Sequence, residues 1–313
     1  MNLLFPDKLA QQPPLTQLLW LTFLAVGSYC VLSSVILLSL LLSGAQLEDL
    51  ANTNFSQLSG DGLFRYKILQ IFSTIALFVL PAWLFARLQT PNLHYLNLHY
   101  PIEPIPTTWT IIIVLLSFPL IAWLSLINES IALPTALHGL ETWMRGMENE
   151  AKEMTVAFLR MDSIAALLLN LLMVAVLPAL GEEMLFRGCI QRIFYRIFKS
   201  PHLAIWVAAA LFSFIHFQFY GFLPRMIIGA LLGYLYYFSG ILWYPIIGHF
   251  LNNGIQVVAV YMMPEQLDDV ETAGVEHIPF YLPLIAIYLL YRMFAYFRQS
   301  VDPLPLANAR KLD

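Results

Sequence analysis

Three short polar clusters interrupt an otherwise apolar chain. The first reads Gly181-Glu182-Glu183-Met184-Leu185-Phe186-Arg187, the second Phe212-Ser213-Phe214-Ile215-His216, the third His249-Phe250-Leu251-Asn252-Asn253. An ionisable side chain inside a membrane-spanning segment is costly and by default marks a functional site. The residue types suit hydrolysis. A carboxylate and an imidazole can take a proton from water, and neutral donors can hold a developing oxyanion.

Spacing begins to divide the roles. Glu183 and Arg187 stand at i and i+4 with the acid N-terminal to the base, the favourable order for a helical ion pair. Glu182 is rotated by about 100° on the same helix and has Phe186 at its own i+4 position. It lacks the arginine and is the better general base. Phe212 lies one turn before His216 and is expected to pack on that imidazole. His249 and Asn253 share a helix face as i and i+4 and offer two hydrogen-bond donors. Asn252 points elsewhere and reads as structural. Each cluster alone also fits a plainer role: glutamates at a membrane boundary, a histidine bonded to a neighbouring helix, or polar glue between helices.

The elements that must position these residues are helices in lipid. The chain has 313 residues, 59% hydrophobic and 12% charged, against about 25% charged in soluble domains. Its mean hydropathy is +0.70. Spans of about 20 apolar residues fall at 17–43, 68–87, 109–127, 163–185, 203–219, 222–239, 241–262 and 279–297. The expected fold is therefore all-α, a polytopic transmembrane bundle of about eight spanning helices. Residues 134–162 read as an amphipathic helix between spans. Pro101, Pro104 and Pro106 mark a linker before the third span. Ser43-Gly44-Ala45 resembles a signal-peptidase site, but the apolar run before it is longer than a signal h-region, so an uncleaved first span is expected.

Three regions follow. Residues 1–162 hold the N-terminal spans and the amphipathic helix, without a motif. Residues 163–262 hold all three clusters. Residues 263–313 comprise an acidic loop, the last span and a basic tail. With the N-terminus inside, ten of the 16 basic residues lie on the inner face, which places both termini in the cytoplasm by the positive-inside rule. A net charge of −4 offers no surface for nucleic acid. Cys30 and Cys189, both in apolar runs, give no disulfide framework or thiolate metal site.

Taken together and in order, the clusters resemble the motifs of the CAAX-protease and bacteriocin-processing family, also called CPBP or Abi. That family reads E-E-x-x-x-R, F-x-x-x-H and H-x-x-x-N on successive helices. Phe194, seven residues past Arg187, extends the first motif. The family includes the Ras-converting CAAX endoprotease and lysostaphin-resistance-type proteins. The resemblance implies an intramembrane endopeptidase in the plasma (inner) membrane. In it Glu182 and His216 activate water, His249 and Asn253 stabilise the oxyanion, and Glu183 and Arg187 hold the site in shape. It implies a peptide or protein substrate, membrane-anchored or prenylated. It also brings the label metalloprotease. A zinc ion would have to be held by Glu182, His216 and His249, because the H-E-x-x-H spacing is absent. A metal-free site uses every residue once, and both forms stay open. Non-proteolytic immunity or scaffolding proteins on the same fold are the alternative function. A proton-coupled transporter is a third, but the inverted repeats common in transporters are not found.

Overall fold

A computed structural model describes residues 9–42, 55, 58, 60–90, 94–265 and 278–302. Among them are nine long helices and no strand. They are α1 (Pro14–Leu42), α2 (Gly60–Gln89), α3 (Pro104–Ser130), α4 (His138–Leu159), α5 (Ile164–Phe198), α6 (Pro201–Phe214), α7 (Phe222–Ser239), α8 (Trp243–Met262) and α9 (Tyr281–Ser300). The all-α bundle is as expected, and the amphipathic helix is α4. The expected acidic loop and basic tail lie mostly outside the described residues.

Among the described residues, length and hydropathy together single out part of the expected spans. Five helices, α1, α2, α3, α5 and α7, are long and apolar enough to cross a membrane. Helix α6 is apolar but only 14 residues long. Helices α8 and α9 each run 20 residues. His249, Asn252, Asn253 and Gln256 dilute the first, and Arg292, Arg298 and several tyrosines the second. The polar side chains that make α8 interesting also hide it as a span.

Helix α5 does not stop at residue 185. It continues through the basic stretch to Phe198, 35 residues in all, or about 50 Å at 1.5 Å per residue. That exceeds a hydrocarbon core of about 30 Å, so one end of α5 must lie outside it. Pro104 and Pro106 do not form a linker. They open α3, where a missing N–H costs nothing.

Two prolines inside helices each follow a wider turn. A π-helical turn at Ile75–Val79 precedes Pro81 in α2, and another at Leu171–Val176 precedes Pro178 in α5. Proline has no N–H for the carbonyl four residues back and its ring crowds that carbonyl, and the widened turn relieves both. A third π turn, Phe186–Ile190, has no proline and includes Arg187. Single π turns often mark functional positions.

Two apolar clusters flank α5, α7 and α8. One packs Phe85, Leu96, Phe186, Ile193, Phe212 and Tyr236, the other Ile113, Leu232, Leu235, Tyr244, Leu290 and Phe297. On α1 the side chains of Leu15, Leu19, Phe23 and Val31 are exposed, as are Leu284, Tyr288 and Tyr291 on α9. In a bilayer such faces meet acyl chains, and helices suit that setting because most of their backbone groups are bonded within the segment.

Candidate active site

Glu183 is the centre of the buried polar network. It is fully buried, and Arg187 and His249 are nearly so. Its Oε1 accepts from Arg187 Nη1 at 2.7 Å and from His249 Nδ1 at 2.8 Å. Arg187 Nη2 donates to the Gly229 carbonyl at 2.7 Å. Oε2 of Glu183 has no hydrogen-bond partner. The i, i+4 pair expected between Glu183 and Arg187 is thus present, and it reaches two further helices, α7 and α8.

The other residues make contacts that spacing along the chain did not reveal. Glu182, also buried, makes its ion-pair contact with His249, Oε2 to Nε2 at 3.9 Å. At 3.9 Å the two groups are too far apart for a direct hydrogen bond and spaced for a bridging water. His216 does not lie on a helix. Helix α6 ends at Phe214, and His216 follows on a turn. Its Nδ1 faces the Phe212 carbonyl at 2.7 Å. A carbonyl only accepts, so Nδ1 carries the proton and a neutral ring presents Nε2 as a base.

The same logic constrains His249. Its Nδ1 donates to the Glu183 carboxylate, so Nε2 donates only when the ring is an imidazolium. Glu182, Glu183 and Arg187 together leave one negative charge unbalanced.

Asn253 is not bonded to His249. Its Nδ2 donates to the Val174 carbonyl at 2.9 Å, and its Oδ1 accepts from Asn252. Pro178, four residues after Val174, has no N–H to offer that carbonyl. Asn253 therefore satisfies a carbonyl at the π turn, a structural task the sequence reading gave to Asn252 alone. One amide hydrogen of Asn253 is left over for other work.

Phe212 is the packing residue expected. Its ring sits 5.0 Å from His216 and 6.1 Å from His249, both near edge-to-face, and 5.0 Å from the Arg187 guanidinium. It fixes both imidazoles and covers the cation.

Spacing did not reveal what lets α6 and α7 approach. Gly229-Ala-Leu-Leu-Gly233 is a small-xxx-small stretch, the usual device for close helices in lipid, and its glycines face Ile205, Ala209 and Phe212 of α6. Gln191, one turn after Arg187, donates to the Gly233 carbonyl at 3.1 Å, repeating the Arg187–Gly229 bond one turn on. A Cβ on Gly229 would come within 3.2 Å of Phe212 and 3.4 Å of Arg187 Nη2. Gly229→Leu should cost about 1–3 kcal/mol through overpacking and displace both site residues. Gly27 in α1 has nothing within 4 Å of an added Cβ, so Gly27→Ala should be neutral or slightly stabilising. Thermal unfolding of the two variants in detergent checks the contrast.

No three His, Cys, Asp or Glu side chains among the described residues are grouped to hold a metal ion. The shell considered for zinc, Glu182, His216 and His249, is not assembled. His249 and Glu182 instead join a network built round Glu183, while His216 is tied to Phe212.

Comparison with known proteins bears on this arrangement. Residues 164–255 match the family model described as type II CAAX prenyl endopeptidase Rce1-like. This segment is similar to that family. All seven residues discussed above, Glu182, Glu183, Arg187, Phe212, His216, His249 and Asn253, fall inside it. The uncharacterized protein YpbD of Bacillus subtilis (strain 168) is 30% identical over 90 residues, which span 28% of this chain and 43% of that protein. No solved structure matches. With its long apolar helices, the chain is an integral membrane protein in which residues 164–255 are similar to the Rce1-like family.

Proposed function

We propose that the Rce1-like domain hydrolyses a peptide bond within the membrane, with Glu182 as the base that activates water. The observation that carries this reading is a buried Glu182 whose Oε2 lies 3.9 Å from His249 Nε2, at one edge of the buried network round Glu183. In this mechanism a water bound at Glu182 gives its proton to the Glu182 carboxylate, and the His216 Nε2 is the base that accepts its other hydrogen in a hydrogen bond. Its oxygen attacks the peptide carbonyl carbon. The carbonyl electron pair moves to oxygen, where the His249 Nε2–H and the remaining Asn253 Nδ2–H donate. The intermediate collapses, the C–N bond breaks, and the proton held by Glu182 passes to the leaving amine.

Glu183 serves His249 rather than the substrate. Its carboxylate stabilises the imidazolium that the oxyanion step requires. Arg187 holds that carboxylate in place through its 2.7 Å bond. Burial removes competing water and strengthens each of these interactions.

The substrate in this reading is a peptide or protein anchored in the membrane, and a prenylated chain ending in a CAAX sequence is the natural first probe. By the positive-inside rule the basic 187–199 stretch sets that end of α5 toward the cytoplasm, in a plasma membrane. The purified chain should cleave a farnesylated, internally quenched CAAX peptide, read as fluorescence gained with time and as a new C-terminus by mass spectrometry. A preparation that gives no cleavage of this peptide, and no cleavage of any protein in native membranes, would contradict hydrolysis.

A further inference from the structure

The N-terminal region carries no motif, and all seven site residues lie elsewhere. Its helices nevertheless grip the segment that holds His216. That segment, 215–221, links α6 to α7. Phe217, next to His216, adopts a left-handed backbone with φ +54°, a conformation phenylalanine does not take unaided. Something must impose it.

Asn128, near the end of α3, is buried, and both ends of its amide are used on this segment. Nδ2 donates to the Phe219 carbonyl at 2.8 Å, and Oδ1 accepts from the Leu223 N–H at 2.7 Å. Glu148 on α4 accepts from the Tyr220 N–H at 3.0 Å. Helix α4 also places Arg145 4.5 Å over the Tyr220 ring and Trp143 5.4 Å from the Phe219 ring. The held residues, 219, 220 and 223, come three to seven positions after His216. From the domain's own side, Ser213 Oγ donates to the Phe222 carbonyl at 2.7 Å, and Arg225 on α7 donates to the backbone and side chain of Gln218.

We propose that Asn128 and Glu148 are positioning residues for His216, so that α3 and α4 complete the catalytic site of the Rce1-like domain. They touch no reacting atom. They fix the path of 215–221, and that path aims the His216 ring. The inference rests on the hydrolytic reading above. A misplacement of about 1 Å in a catalytic group is enough to cost about a hundredfold in rate.

Asn128→Leu, of similar size and without hydrogen-bonding capacity, should lower kcat on the farnesylated CAAX peptide by about ten- to a hundredfold, with KM within about threefold. Glu148→Ala should act in the same direction. Glu148→Gln keeps an acceptor oxygen and should retain most of the rate. In the full-length chain, hydrogen exchange of the Tyr220 and Leu223 amides should rise about tenfold in the Leu and Ala variants, as expected for one lost hydrogen bond, while the amides of α9 stay unchanged. An unaltered kcat beside faster exchange overturns the inference, because the turn would then be loosened without consequence. Unaltered exchange also overturns it. If the unsubstituted chain cleaves neither the peptide nor any membrane protein, the hydrolytic reading fails instead, and exchange alone reports whether the clamp exists.

Discussion

Glu182→Gln is expected to reduce peptide cleavage by about a thousandfold or more while the chain folds and inserts as before. General-base catalysis contributes about 10²–10⁴, and a glutamine of the same shape cannot accept the proton. Folding should be spared because Glu182 is not the residue that holds the network. Glu183 bonds both Arg187 and His249, whereas Glu182 makes only a 3.9 Å contact. His216→Ala should give a comparable loss. Steady-state cleavage of the farnesylated peptide, beside thermal unfolding of the same preparations, checks both. A Glu182→Gln chain that cleaves at the rate of the unsubstituted one would remove Glu182 from the mechanism.

The second large effect is on stability. Arg187→Met leaves a fully buried Glu183 carboxylate with His249 as its remaining bonded partner and leaves the Gly229 carbonyl without its side-chain donor. Breaking a buried pair from one side costs about 3–5 kcal/mol. Glu183→Leu combined with Arg187→Met removes both charges and should recover most of that loss, since apolar replacements of buried pairs are often neutral. Cleavage should not recover, because His249 Nδ1 then has no acceptor and its ring loses orientation and charge stabilisation. The double variant therefore separates fold from function. Cleavage in the double variant at the unsubstituted rate would show that Glu183 does not serve His249.

Most of the site was legible because its residues violate the composition around them. Glu182, Glu183, His216, His249 and Asn253 stand out in apolar runs, and the i, i+4 geometry of Glu183 and Arg187 needs no tertiary information. The partnerships between helices were less legible. His249 meets Glu183 and Glu182 because of how α8 is rotated against α5, and no spacing within one helix encodes that rotation. The Asn253–Val174 bond depends on a π turn before Pro178, which periodicity does not reveal. His216 sits on a turn because α6 ends two residues earlier, although the apolar pattern continues to residue 219. The eight expected spans became five by length and hydropathy because α8 carries the site's own polar groups, α9 is diluted by arginine and tyrosine, and α6 is short. Asn128 and Glu148 were invisible in sequence, since isolated polar residues acquire meaning only from the backbone they reach.

The most direct test of water activation at Glu182 is a comparison of native membranes from cells carrying the intact chain and the Glu182→Gln chain, with new protein termini quantified by mass spectrometry. The account predicts a set of membrane-protein fragments present with the intact chain and absent with Glu182→Gln, at equal amounts of folded protein. The same fragments at the same levels in both would contradict it.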